Sequence, residues 1–125
     1  MPIAKGFKLP GTAGQLTIPD SGKLFVVFVA STLPETGQSW CPDVRAAMPV
    51  LEAEFAGDDK PELKLVEVGQ VPEWKKPDNV YRTKWSVNSV PTLVRFEQVD
   101  GDIKETGRLV EGELLDSKAF QKLVS

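Results

Sequence analysis

Two β-rich segments joined by a helical segment restrict the fold of this chain more than any other feature. Residues 23–30 (KLFVVFVA) form a continuous apolar run, which is typical of a strand buried on both faces of a parallel sheet. Residues 63–68 (LKLVEV) alternate in polarity and have a β-rich composition, so they predict a second strand. The order strand, helix, strand predicts a βαβ unit with parallel strands.

The connecting helix is predicted over residues 42–56. Its apolar residues recur at the spacing of one buried helix face, and they are Val44, Ala47, Met48, Leu51 and Phe55. Pro42 suits the first helical turn, where its missing N–H costs nothing. Gly57 suits the position just after the last turn.

A β-hairpin and a closing helix are predicted after the βαβ unit. Residues 92–99 and 103–107 read as two strands, and the Asp100-Gly101 dipeptide between them is a hairpin signal. Residues 116–124 predict a short helix with one apolar face. The sequence therefore predicts an α/β fold, in which one domain of 125 residues holds a mixed sheet flanked by helices.

Three further segments carry weaker patterns. Residues 3–9 are compatible with an edge strand, and residues 11–22 contain turn signals and at most a short helix. Residues 73–85 predict a helix that Pro77 interrupts.

Composition excludes several classes of function. The chain has no histidine and one cysteine, so it can supply neither a Ser-His-Asp or Cys-His pair nor a zinc ligand set, and it forms no internal disulfide. A net charge of −3 without a basic stripe argues against a nucleic-acid partner. No apolar run reaches the roughly 20 residues of a membrane span. Without the pattern of a signal peptide near Met1, we expect a cytoplasmic protein.

The hexapeptide Trp40-Cys41-Pro42-Asp43-Val44-Arg45 is close to a Cys-x-x-Cys redox motif, with valine at the second cysteine position. Cys41 is predicted at the junction of a loop with the N-terminus of a helix, where unpaired N–H groups and the helix dipole favour a thiolate. Such a junction is normally exposed, so we expect an accessible nucleophile. The alternative is a buried cysteine that only packs.

Three sequence blocks resemble one protein family. They are Ser39-Trp40-Cys41-Pro42-Asp43, the segment 68–79 (VGQVPEWKKPDN) and Val90-Pro91-Thr92-Leu93. With these blocks the chain resembles the thioredoxin fold and, within it, the cytosolic thioredoxin-related family with the signature Trp-Cys-Pro-Asp-Cys. The resemblance extends over about residues 23–110. A proline before a β-rich run suits the start of a strand. The Trp-Cys-Pro motif upstream and the predicted hairpin downstream favour a cis bond before Pro91.

The resemblance implies a role for each residue of a site. Cys41 would attack a disulfide, Pro91 would be the cis-proline that faces it, and the Val90 backbone would pair with an extended substrate segment. The rim and substrate-binding surface would be completed by Trp40, Pro42, Asp43 and Val44. Asp43 would tune the local charge, although an acidic residue in a first helical turn also stabilises the helix dipole on its own.

Val44, at the second cysteine position, limits the functions that are possible. It has no sulfur, so it cannot resolve a mixed disulfide on Cys41, and an external thiol such as glutathione must do so. Val44 also lies on the apolar helix face and could simply pack there. We therefore expect a cofactor-independent monothiol oxidoreductase of the protein-disulfide reductase type, monomeric, acting on protein or small-molecule disulfides. The alternatives are a binding module that docks partner segments at the cis-proline groove, and a structural subunit.

Overall fold

The computed structural model describes residues 3–4, 7–19, 22–55, 57 and 62–124. Within these residues there are four helices and five strands, together with two 3-10 helices at Ala13–Gln15 and Glu111–Leu115. In chain order they are β1 (Ile3–Ala4), β2 (Lys23–Val29), α1 (Pro42–Phe55), β3 (Leu63–Glu67), α2 (Val71–Trp74), α3 (Val80–Lys84), β4 (Thr92–Val99), β5 (Asp102–Val110) and α4 (Ser117–Val124).

The strands form one mixed sheet in the order β1-β3-β2-β4-β5. β2 and β3 are parallel, with Phe25 opposite Leu63, whereas β4 is antiparallel to both β2 and β5. These pairings confirm the predicted βαβ unit and the predicted hairpin. Since β2 and β4 are neighbours, the segment that follows β2 and the segment that precedes β4 meet at the same edge of the sheet.

Helix α1 packs on the sheet through the predicted face. Its buried residues are Val44, Ala47, Leu51 and Phe55, while Met48 is only half-buried. The Phe55 ring lies 5.3 Å from the Phe25 ring on β2 and 6.4 Å from the Phe120 ring on α4. This contact joins α1, the sheet and the closing helix in one core. Residue 56, the last of the predicted helix, lies outside the described residues.

The hairpin is longer than predicted. Asp100 and Gly101 both have positive φ, 53° and 86°, as the turn signal requires, but β5 continues three residues beyond Gly107. Glycine there does not end the strand, because a Cβ at Gly107 would lie 2.4 Å from the Cδ1 of Leu123 on α4. It is the absence of a side chain that lets the closing helix cross the strand closely.

The weaker predictions are only partly confirmed. The expected edge strand over residues 3–9 is limited to Ile3–Ala4; residues 7–9 are irregular, and residues 5–6 lie outside the described part. The turn-rich segment holds one short 3-10 helix, and the buried Leu16 anchors it to the core. Two short helices, α2 and α3, flank Pro77, which agrees with the predicted interruption.

Candidate functional site

Cys41 lies directly before α1 and against the segment that leads into β4. Its Sγ atom is 3.8 Å from the Val90 carbonyl oxygen, and the Val90–Pro91 peptide bond is cis. Among the described residues, the Val90 N–H has no hydrogen-bond partner. The fold therefore brings together the thiol, the cis-proline and the Val90 backbone.

The thiol is less accessible than predicted. Cys41 is only 9% exposed, and its Sγ lies against the carbonyl of the buried Val90. The expectation that a loop-to-helix junction exposes the nucleophile is wrong here. The next two residues, Pro42 and Asp43, are exposed and form the outer part of the same turn.

Val44 faces the core. It is 1% exposed and shares the inner face of α1 with Ala47, Leu51 and Phe55. The interpretation that valine packs at this position agrees with the structure. Val44 lies three residues after Cys41, and its burial excludes it from the exposed rim.

Trp40 is held beside the thiol by Gly69. The indole Nε1–H donates to the Gly69 carbonyl oxygen at 3.0 Å, and the Gly69 N–H donates to the Ser31 Oγ at 2.9 Å. Gly69 has a φ of +110°, and a Cβ there would lie 2.9 Å from the Cβ of Glu73. Sequence reasoning did not assign Gly69 a role, although a glycine just after a predicted strand is a signal for such a position.

Replacing Gly69 with alanine should destabilise the fold by about 1–3 kcal/mol and displace Trp40. Both effects follow because the new methyl group combines an unfavourable φ with a clash against α2. Urea unfolding measures the first effect, and the NMR signal of the Trp40 indole N–H measures the second. Gly101→Ala is the matched control, since Gly101 has a φ of +86° with nothing within 4 Å of its Cβ. Equal losses in the two variants and an unchanged Trp40 signal would contradict the prediction.

Two charged residues of α1, Asp43 and Arg45, follow Cys41 closely in the sequence. Asp43 lies in the first turn, exposed and without an ion pair among the described residues. The Arg45 Nη1 donates to the Ser39 carbonyl oxygen at 2.7 Å. The sequence motif contains both Ser39 and Arg45 but assigns neither residue a partner. Their contact is invisible to spacing arguments because it depends on how the loop returns to the helix.

The sequence of this chain is similar to one protein family and to individual proteins of known sequence. Residues 5–123 match the family model described as "Thioredoxin domain-containing protein 17-like, thioredoxin domain". A thioredoxin domain-containing protein of Schizosaccharomyces pombe is 40% identical over 102 residues, which are 81% of this chain and 82% of that protein. Human thioredoxin domain-containing protein 17 is 29% identical over 106 residues, 84% of this chain and 80% of that protein.

Solved structures show the same architecture. The thioredoxin of Trichomonas vaginalis aligns with 97% of this chain and 96% of its own, with a TM-score of 0.59 and 17% identity. A Plasmodium falciparum thioredoxin aligns with 82% of this chain and 71% of its own, with a TM-score of 0.57 and 14% identity. These similarities confirm the predicted thioredoxin fold. In the described part of the chain, no helix is long and apolar enough to cross a membrane.

Proposed function

Because the chain belongs to the family of thioredoxin domain-containing protein 17-like thioredoxin domains, we propose that it is a monothiol thiol–disulfide oxidoreductase. Cys41 is the attacking group, and a thiol from solution completes each cycle. The observation that carries this proposal is the placement of the Cys41 Sγ, which lies before a 14-residue helix and 3.8 Å from the carbonyl of the cis Val90–Pro91 bond.

The proposed cycle has three exchange steps. The Cys41 thiolate attacks one sulfur of a disulfide, forms a mixed disulfide and releases the other sulfur as a thiol. An external thiol attacks the Cys41 sulfur, frees the second half of the substrate and takes its place. A second external thiol then attacks that adduct and restores the Cys41 thiolate. Two external thiols are oxidised to one disulfide and the substrate disulfide is reduced to two thiols, so electrons and protons balance without a cofactor.

The residues around Cys41 have separate parts in this cycle. The Val90 N–H would pair with the backbone of an extended substrate segment, as an added strand pairs with a sheet edge. Trp40 would cover one side of the mixed disulfide, held there by the Gly69 carbonyl. Pro42 and Asp43 would form the exposed part of the rim, and Asp43 would discriminate against acidic substrate residues by charge repulsion. Val44 supplies no group to the reaction.

A binding module is the second candidate, and the burial of Cys41 favours it. A cysteine residue that is only 9% exposed, with no second cysteine at position 44, suits a groove that docks partner segments without turnover. The two candidates predict different results for removal of the sulfur, because docking uses the Val90 backbone and reduction uses Cys41.

Turnover with glutathione separates the two candidates. We expect the wild-type protein to reduce a small disulfide in the presence of glutathione and glutathione reductase, with a rate proportional to glutathione concentration. Cys41→Ser should show only the uncatalysed rate. If the two proteins gave equal rates, the chain would not be a reductase under these conditions, and retained binding of a partner segment by Cys41→Ser would then support the binding module.

The proposed setting follows from the proposed chemistry. A cycle that consumes reduced thiol fits the cytoplasm, where the glutathione pool is kept reducing. We propose a monomer whose partners are protein or small-molecule disulfides, with no part for nucleic acid or membrane.

A further inference from the structure

We propose that Ser39 is a positioning residue for Cys41 and that Arg45 holds Ser39 in place. The inference deepens the proposed monothiol chemistry and rests on it for its consequence in turnover. Its structural basis is a set of three hydrogen bonds that meet at Ser39, two residues before the thiol.

The Ser39 hydroxyl joins the nucleophile to the sheet. The Cys41 N–H donates to the Ser39 Oγ at 3.3 Å, and the same hydroxyl donates to the carbonyl oxygen of Ala30 at 2.9 Å. Ala30 follows the last residue of β2 and is 1% exposed. A rigid, buried strand end therefore sets the position of the Cys41 backbone through one side chain.

The Ser39 carbonyl is fixed from the other side by α1. The Arg45 Nη1 donates to it at 2.7 Å, and the Arg45 N–H donates to the Cys41 carbonyl at 3.1 Å within the first helical turn. Arg45 thus binds the residues on both sides of Trp40. The end of the loop between β2 and α1, just before Cys41, is therefore hydrogen-bonded to the helix.

This arrangement matters for reaction more than for folding. Attack on a disulfide requires the sulfur to be aligned with the bond that breaks, and small displacements of reacting groups cost rate. Pro42 has no N–H, so the Cys41 N–H is the nearest backbone donor by which the preceding loop can orient the thiol. Removal of the Ser39 hydroxyl would free this N–H and leave the Cys41 backbone, and with it the direction of the Sγ, less well fixed for attack.

The test compares Cys41 reactivity in variants of the full chain. We expect Ser39→Ala to lower the rate of Cys41 alkylation by iodoacetamide about three- to tenfold, the range set by one hydrogen bond. Ser39→Thr keeps a hydroxyl and should restore most of the rate. In the glutathione-coupled assay, Ser39→Ala should lower kcat and leave the KM for the disulfide unchanged, since the Ser39 hydroxyl bonds the backbone of Cys41 and of Ala30.

Thr36→Ala is the matched control. Its hydroxyl lies in the same loop and bonds the backbone of Gln38 without touching the Cys41 segment, so its removal should leave the alkylation rate unchanged. An unchanged or increased rate in Ser39→Ala, or an equal loss in Thr36→Ala, would overturn the proposal.

Arg45→Met removes the hydrogen bond to the Ser39 carbonyl without altering the Ser39 hydroxyl. It should also slow alkylation, and its effect combined with Ser39→Ala should be smaller than the product of the single effects, because both act through one loop position. If Ser39→Ala does not fold, an unchanged rate in Arg45→Met overturns the proposal. Alkylation needs no turnover, so an absence of glutathione-dependent reduction would refute the proposed function while these rate differences remain.

Discussion

Replacing Val44 with cysteine is expected to raise the rate of disulfide reduction at least about tenfold when external thiol is scarce. The second sulfur would stand three residues after Cys41, which is the Cys-x-x-Cys spacing of dithiol reductases. Val44 is buried in the first turn of α1, so a cysteine there is held near the mixed disulfide. An intramolecular attack then replaces a slow encounter with a thiol from solution.

The assay is a single-turnover reaction in which the release of each half of the substrate disulfide is measured separately. In the wild type, the second half should appear only as external thiol is added. In Val44→Cys it should appear without external thiol, and mass spectrometry should then find an internal disulfide between the two cysteines.

Val44→Ser is the matched control, because it makes a similar change in volume and adds a polar atom without sulfur. It should behave as a monothiol protein. If Val44→Cys forms the internal disulfide but releases the second substrate half no faster than Val44→Ser, the site does not support resolution. An equal gain in both variants would mean that the valine had been blocking access, and would contradict the argument from proximity.

The central part of the fold could be predicted from the sequence because its signals are local. The apolar run at residues 23–30 is long enough to define β2, and the period of the apolar residues in α1 specifies both the helix and its buried face. The Asp100-Gly101 dipeptide likewise predicts a hairpin turn on its own, and both residues adopt the positive φ that this turn needs. In each case the information lies within a few neighbouring residues.

The parts that could not be predicted depend on contacts between distant segments. The end of β5 was placed at Gly107, because nothing local shows that Leu123 of α4 crosses there. The buried Cys41 Sγ contacts the carbonyl of Val90, which lies 49 residues further along the chain. The anchor of Trp40 is a carbonyl on Gly69, 29 residues away. The site residues were identified by type, whereas their exposure and their supports required the structure.

Truncation of Phe55 to alanine is expected to lower the free energy of unfolding by about 3–5 kcal/mol. The ring is 0% exposed and contacts Phe25 and Phe120 at centroid distances of 5.3 and 6.4 Å. Its loss would open a cavity where α1, the sheet and α4 meet. A protein of this size is typically stable by only about 5–15 kcal/mol, so the variant should unfold at a much lower urea concentration.

Urea unfolding followed by circular dichroism measures this change, and Val80→Ala provides the comparison. Val80 is apolar but 44% exposed, so its truncation should alter stability by no more than about 0.5 kcal/mol. The Cys41 segment packs on the other end of α1, and α1 is fixed to the sheet partly through Phe55. Phe55→Ala should therefore also broaden the NMR signals of Cys41 and Val44 before global unfolding. A loss below about 1 kcal/mol would show that α1 is held mainly at its N-terminal turn, and would place the support of the site there.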